Sequence, residues 1–216
     1  MYDFERDKII EASNEIISSS MTVGSWGNIS MRTDDGNIVI TPSGKNYKKL
    51  KKEDLVVTDI NGNVISGKFK PSSERLMHYE IYKKRNDVNA IVHTHASYSS
   101  ILSVINEDLP VITEDVAMIL GHVKVAKYAI TGSMDLALNV ASALDNSNAA
   151  IMANHGAVAV GSDMERAYTA AQVLEKSCKI FVFSKIIGKL NVIPEDDVKR
   201  LYEISEAYLS QWKQWD

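Results

Sequence analysis

Residues 89–95 read Asn89-Ala90-Ile91-Val92-His93-Thr94-His95. An apolar run feeding into His-Thr-His predicts a short buried strand that ends on polar residues. On a strand, positions i and i+2 project to the same face, so the two imidazoles converge on one point. Residues 96–106 follow with helical spacing, which leaves the histidine pair at a strand end, where a cleft can open.

Working outward from this strand, the chain alternates short β-rich runs with helical periods. Phe4, Ile9, Ile10, Ala12, Ile16 and Ile17 predict an amphipathic helix over 4–20. Strands are expected at Asn28–Arg32, 38–41 and 55–60, with turns at Asp35-Gly36 and Asn61-Gly62. Pro71-Ser72-Ser73-Glu74 opens a helix over 75–85, whose basic end, Lys83-Lys84-Arg85, suits the negative helix terminus. Beyond the histidine strand, 111–113 and 122–128 read as strands and 133–144 as helix. The apolar strand 149–153 returns as a hairpin through 157–160, and helices over 163–187 and Glu195–Trp212 close the chain. No repeat or linker interrupts the pattern. The expectation is one α/β domain over residues 1–216, with a central, mostly antiparallel sheet covered by helices, because the early turns are too short for crossovers.

Composition limits the possible functions. The net charge of −4 does not fit a nucleic-acid surface, so an anionic ligand must be held by local donors. Cys178 is the only cysteine, which excludes an intrachain disulfide; its apolar neighbours mark it as a packing residue. The first residues are charged where a signal peptide would be apolar, and no apolar run approaches the ~20 residues that span a bilayer. A cytoplasmic protein with no membrane partner is expected.

His93 and His95 are metal-ligand candidates, since zinc and similar ions take three or four imidazole or carboxylate ligands. A bland core or surface pair is the competing reading. His155, directly after the strand 149–153, offers a third imidazole at another strand end. His78 and His122 lack such company and read as structural or solvated. The helix start Pro71-Ser72-Ser73-Glu74 reads first as a cap, although its hydroxyls and free N–H groups could also cradle a phosphate. Ser25-Trp26-Gly27-Asn28 and Thr41-Pro42-Ser43-Gly44 are two further small-residue loops beside strands. None carries the spacing of an ATP or dinucleotide loop.

Gly27-Asn28-Ile29-Ser30, Thr41-Pro42-Ser43-Gly44, Pro71-Ser72-Ser73-Glu74, His93-Thr94-His95-Ala96 and Asn154-His155-Gly156 occur in an order that resembles the class II aldolase/adducin superfamily. The likeness is strongest to its L-fuculose-1-phosphate aldolase branch and covers nearly the whole chain. It implies zinc, with manganese or cobalt as substitutes, on His93, His95 and His155, and Glu74 as general acid/base. It implies a substrate phosphate held by Gly27, Asn28, Ser43, Gly44, Ser72 and Ser73, with Ser25 a lesser contributor. It further implies a homotetramer with sites between subunits, acting on a phosphorylated ketose to release dihydroxyacetone phosphate and a small aldehyde such as lactaldehyde.

The chain departs from the branch at one point. Ile112-Thr113-Glu114-Asp115 places Glu114 where the family has a tyrosine supplied by the neighbouring subunit; a second family tyrosine falls on Tyr208. This keeps sister activities open: ribulose-phosphate 4-epimerase, sugar-phosphate dehydratase or decarboxylase. A non-catalytic adducin-like binding domain is disfavoured by the retained histidines and Glu74.

Overall fold

The structure is a computed structural model that describes residues 1–212; for residue 206 and residues 208–212 only the backbone is described, so the expectation for the Tyr208 side chain lies outside the described residues. Helix α1 (Asp3–Ser18) precedes strands β1 (Asn28–Arg32), β2 (Ile38–Ile40), β3 (Val56–Thr58) and β4 (Val64–Ser66). Then come α2 (Arg75–Lys84), β5 (Ala90–Thr94), α3 (Ser97–Ile105), a π-helical turn (Val116–Leu120), β6 (Val125–Ala126) and α4 (Met134–Leu144). Strands β7 (Ala149–Met152) and β8 (Gly156–Gly161) lead into α5 (Met164–Ile187) and α6 (Glu195–Trp212). Among the described residues, no helix is long and apolar enough to cross a membrane.

The strands form one sheet in the order β4-β3-β2-β1-β5-β8-β7-β6. Every neighbouring pair is antiparallel except β6–β7, so the α/β class and the mostly antiparallel sheet hold as expected. Side chains alternate across it. Ile29, Met31, Ala90 and Val92 face the layer formed by α1, α3 and α5. Ile38, Ile40, Ile91 and Val158 face the layer formed by α2 and α4. Each fully buried aliphatic side chain in these layers contributes about 1.5–3 kcal/mol of transfer free energy. By the same alternation, Asn28 and Ser30 of β1 and His93 of β5 lie on the α2 side. Polar residues on that face must find partners.

Two expected strands change. Residues 111–113 form no strand; Val111 is buried, but its carbonyl accepts from Ile193 N just before α6 rather than from a ladder. Its apolar character reflects burial under the returning chain. The expected strand over 122–128 shortens to the two residues of β6. Strand β4, whose residues are largely exposed, follows the Asn61-Gly62 turn unannounced, because edge strands carry little apolar alternation.

Candidate active site

Strand β5 lies between β1 and β8, and its C-terminal end gathers the site. His93 sits on the strand with no exposed surface, and His95 follows one residue beyond it. His155 comes from the β7–β8 turn, where Asn154 takes the left-handed region (φ 54). Ser103 of α3 fixes that turn: its hydroxyl donates to Met152 O at 2.6 Å and accepts from His155 N at 2.9 Å. Glu74 stands at the N-terminus of α2, buried against the other three.

The four side chains meet closely. Glu74 Oε2 lies 3.1 Å from His93 Nε2, and Glu74 Oε1 lies 3.1 Å from His155 Nε2. His95 Nε2 lies 3.1 Å from His93 Nε2. All four potential ligand atoms fall within 4.8 Å of one another. Ligands at tetrahedral zinc distances would stand about 3.4 Å apart, so small side-chain movements would let them share one ion.

The donor chemistry also fits. His93 Nδ1 donates to Ala157 O at 2.9 Å, which leaves Nε2 to face the cluster; metal-bound histidines are commonly oriented by such a carbonyl. Burial, reinforced by the neighbouring His93 and His155, pushes His95 down to about 3, so its ring is neutral and keeps a lone pair. For Glu74, burial disfavours the charged form, but the imidazoles of His93 and His155 outweigh it and hold the carboxyl below the usual carboxylate range. Two neutral donors complete its surroundings: Asn28 Nδ2 at 2.8 Å from Oε2 and Thr131 Oγ1 at 2.9 Å from Oε1.

Two glycines make this packing possible. A Cβ on Gly27 (φ +80) would stand 2.5 Å from His93 O, and one on Gly156 would stand 2.5 Å from Thr94 O. Both positions bring backbone against the histidine strand where no side chain fits.

The three small-residue loops lie side by side next to Glu74. Tyr47 joins two of them, its N–H donating to Gly24 O and its hydroxyl to Gly27 O at 3.0 Å. Pro42 pairs with Pro71, and Ser72 N donates to Thr41 O, which joins the second loop to the third. Ser43, Gly44 and Ser73 are exposed on this rim, Ser25 and Gly27 are half-buried, and Ser72 is buried with its hydroxyl accepting from Glu74 N. Asn28 is buried beneath the rim, its side-chain amide engaged by Glu74 and His78.

Glu114 is exposed at the start of the π-helical turn and touches none of the four clustered residues of its own chain. His122 is exposed beside Glu195, and buried Cys178 has its thiol pushed up by burial, as the packing reading expects. Thr131, Ser103 and the ring of Trp26, 66% exposed and 5.5 Å from the His95 ring, belong to the site without having been anticipated. Trp26 belongs to the small-residue loop Ser25–Asn28, but Thr131 and Ser103 carry no local signal.

Residues 7–182 match the family model described as class II aldolase and adducin N-terminal domain. The chain is 36% identical over 208 residues to a 5-deoxy-D-ribulose 1-phosphate aldolase of Bacillus thuringiensis serovar kurstaki, covering 96% of this chain and 98% of the relative. It is 40% identical over 159 residues to an L-fuculose phosphate aldolase of Methanococcus maripaludis, covering 73% and 85%. A solved structure described as L-fuculose 1-phosphate aldolase superposes with a TM-score of 0.93 at 32% identity, covering 95% and 98%.

Proposed function

The chain belongs to the class II aldolase and adducin family, and we propose that it is a metal-dependent aldolase cleaving the 1-phosphate of a short ketose into dihydroxyacetone phosphate and a small aldehyde. The convergence of three imidazoles and Glu74 beside three small-residue loops carries this reading. His93, His95 and His155 would hold the ion, zinc by preference with manganese or cobalt as substitutes. A divalent cation bound there would supply Lewis-acid stabilisation of the negative charge that builds on the ketone oxygen as the carbon–carbon bond breaks.

The protein's own groups do the rest. In the condensation direction the Glu74 carboxylate, gripped at both oxygens, takes the proton from the carbon that forms the new bond; in cleavage the same carboxyl, protonated from solvent before each turnover, delivers a proton to that carbon. Exposed Ser43 and Ser73, with Gly44 and half-buried Gly27, form the rim where a phosphate would anchor, with Ser25 beside it and Ser72 beneath. Anchoring the phosphate at a fixed distance from the histidines selects which carbon–carbon bond is presented. The base for the aldehyde half's hydroxyl is Glu114 of a neighbouring subunit in a homotetramer.

Relatives named for L-fuculose phosphate and for 5-deoxy-D-ribulose 1-phosphate both point to methyl-ended phosphoketoses. The aldehyde would be lactaldehyde from the first and acetaldehyde from the second. Metal-loaded enzyme tested on both sugars, with ribulose 5-phosphate alongside, should release dihydroxyacetone phosphate from a ketose 1-phosphate. An epimer, a dehydrated sugar or carbon dioxide as the sole product would replace this reading with a sister activity.

A further inference from the structure

Behind Glu74, on the α2 side of the sheet, runs a buried chain of polar groups that no solvent reaches. Asn28, 3% exposed, uses its amide at both ends: Nδ2 donates to Glu74 Oε2 at 2.8 Å, and Oδ1 faces His78 Nε2 at 2.5 Å. A carboxamide oxygen only accepts, so His78 Nε2 carries the hydrogen. His78 has no exposed surface, and burial lowers its imidazole to about 3, so the ring is neutral and Nδ1 is an acceptor. The Ser30 hydroxyl, 2.6 Å from Nδ1, therefore donates to it. With that hydrogen spent, the Tyr82 hydroxyl, 2.8 Å from Ser30 Oγ, donates to Ser30.

Every bond thus points one way, from Tyr82 through Ser30, His78 and Asn28 to Glu74. The sequence supplies the line by period: Asn28 and Ser30 share a strand face, and His78 and Tyr82 are one helical turn apart on α2. Reversing the chain would turn Asn28 Oδ1 onto the Glu74 carboxylate, acceptor against acceptor.

We propose that His78 is a positioning residue: with Ser30 and Tyr82 it locks the Asn28 amide, and through Asn28 it holds Glu74 with one oxygen toward His93 and the other toward His155. Its consequence for turnover rests on the reading of Glu74 as the proton carrier. A purely structural polar chain would affect melting temperature alone. A positioning chain affects the chemical step while leaving substrate and metal binding intact.

The test uses metal-loaded full-length enzyme and the ketose 1-phosphate with the highest rate in the panel above. His78→Leu should lower kcat by about 10- to 100-fold with KM within about threefold, because only the alignment of the proton carrier is lost. Its metal content should match wild type, and its crystal structure should show Asn28 or Glu74 turned from the present arrangement. His78→Gln, whose side-chain N–H can reach Asn28 Oδ1, should restore kcat to within about threefold of wild type. If His78→Leu does not fold, Ser30→Ala decides: it frees the imidazole to take either tautomer, and kcat should fall with KM kept. Wild-type kcat in the folded variant, or a loss not restored by Gln with Asn28 and Glu74 unmoved, overturns the proposal. If Glu74→Gln turns over normally while Asn28 and Glu74 shift in His78→Leu, the positioning stands and the catalytic reading of Glu74 falls.

Discussion

His93 Nε2 lies 3.1 Å from Glu74 Oε2 while the ring's other nitrogen donates to Ala157 O, so the facing nitrogen meets a carboxylate with no hydrogen of its own in the neutral ring. His95 Nε2, also 3.1 Å away, donates to that nitrogen or accepts from it according to its tautomer. Either a hydrogen, supplied by His95 or by a second proton on the ring, or a metal ion must occupy that position. The two compete for the same nitrogen, which ties metal binding to proton release.

The purified protein is accordingly expected to carry about one divalent ion per chain, on His93, His95 and His155. Elemental analysis should find little metal in the His93→Ala, His95→Ala double variant; full metal there would sink the assignment. Titration of zinc into the stripped enzyme should release protons, seen as a binding heat that varies with the ionisation enthalpy of the buffer. A buffer-independent heat would mean that no proton is displaced.

Glu74→Gln keeps the shape of the side chain and removes its proton chemistry. Metal content and melting temperature should stay close to wild type, while kcat falls by about 100-fold or more. A variant retaining more than roughly a tenth of wild-type kcat would show that another group carries the proton.

The legible part of this site is the part written in local periods. His93 and His95 are a strand's i, i+2 pair, His155 follows an apolar run directly, and Glu74 closes a small-residue helix start. What the sequence does not display is long-range. Asn28 meets Glu74 across 46 residues and Thr131 meets it across 57, contacts made only once β1 pairs with β5 and α2 packs over both. His78 carries no local sign of its role, because its partners Asn28 and Ser30 lie on a strand some fifty residues earlier. Residues 111–113 mislead for a related reason: an apolar run reports burial, and here a returning segment before α6 provides the burial in place of a neighbouring strand.

Burial lowers His78 from 6.5 to about 3, with His93 acting in the same direction and Glu74 opposing. The folded protein therefore refuses a proton that the unfolded chain accepts. The sign follows: this contribution is complete above pH 6.5 and is lost as pH falls from 6.5 toward 3, by up to about 1.4 kcal/mol per unit. Urea melts of the metal-free protein across that window should show a shallower pH slope for His78→Gln, by about one proton. Identical slopes would mean that His78 titrates in the folded state as it does in the unfolded one.

Glu114 sits exposed at the first turn of a segment that is otherwise pinned down. Its neighbour Asp115 bonds Lys176 of α5 at 2.5 Å, and Val116, Ala117 and Leu120 are buried, while the Glu114 carboxylate is left exposed. Among the described residues it makes no hydrogen bond or ion pair. If Glu114 completes the neighbouring subunit's site, each site needs His95 from one chain and Glu114 from another. His95→Ala and Glu114→Gln proteins should each be inactive alone. Dissociated, mixed and reassembled, they should form some sites intact on both sides, and activity should reappear in the mixed oligomers. Mass spectrometry must first confirm that subunits have exchanged. Mixed oligomers no more active than the separate variants would show that Glu114 serves no neighbouring site, and an active Glu114→Gln protein would remove it from the chemistry altogether.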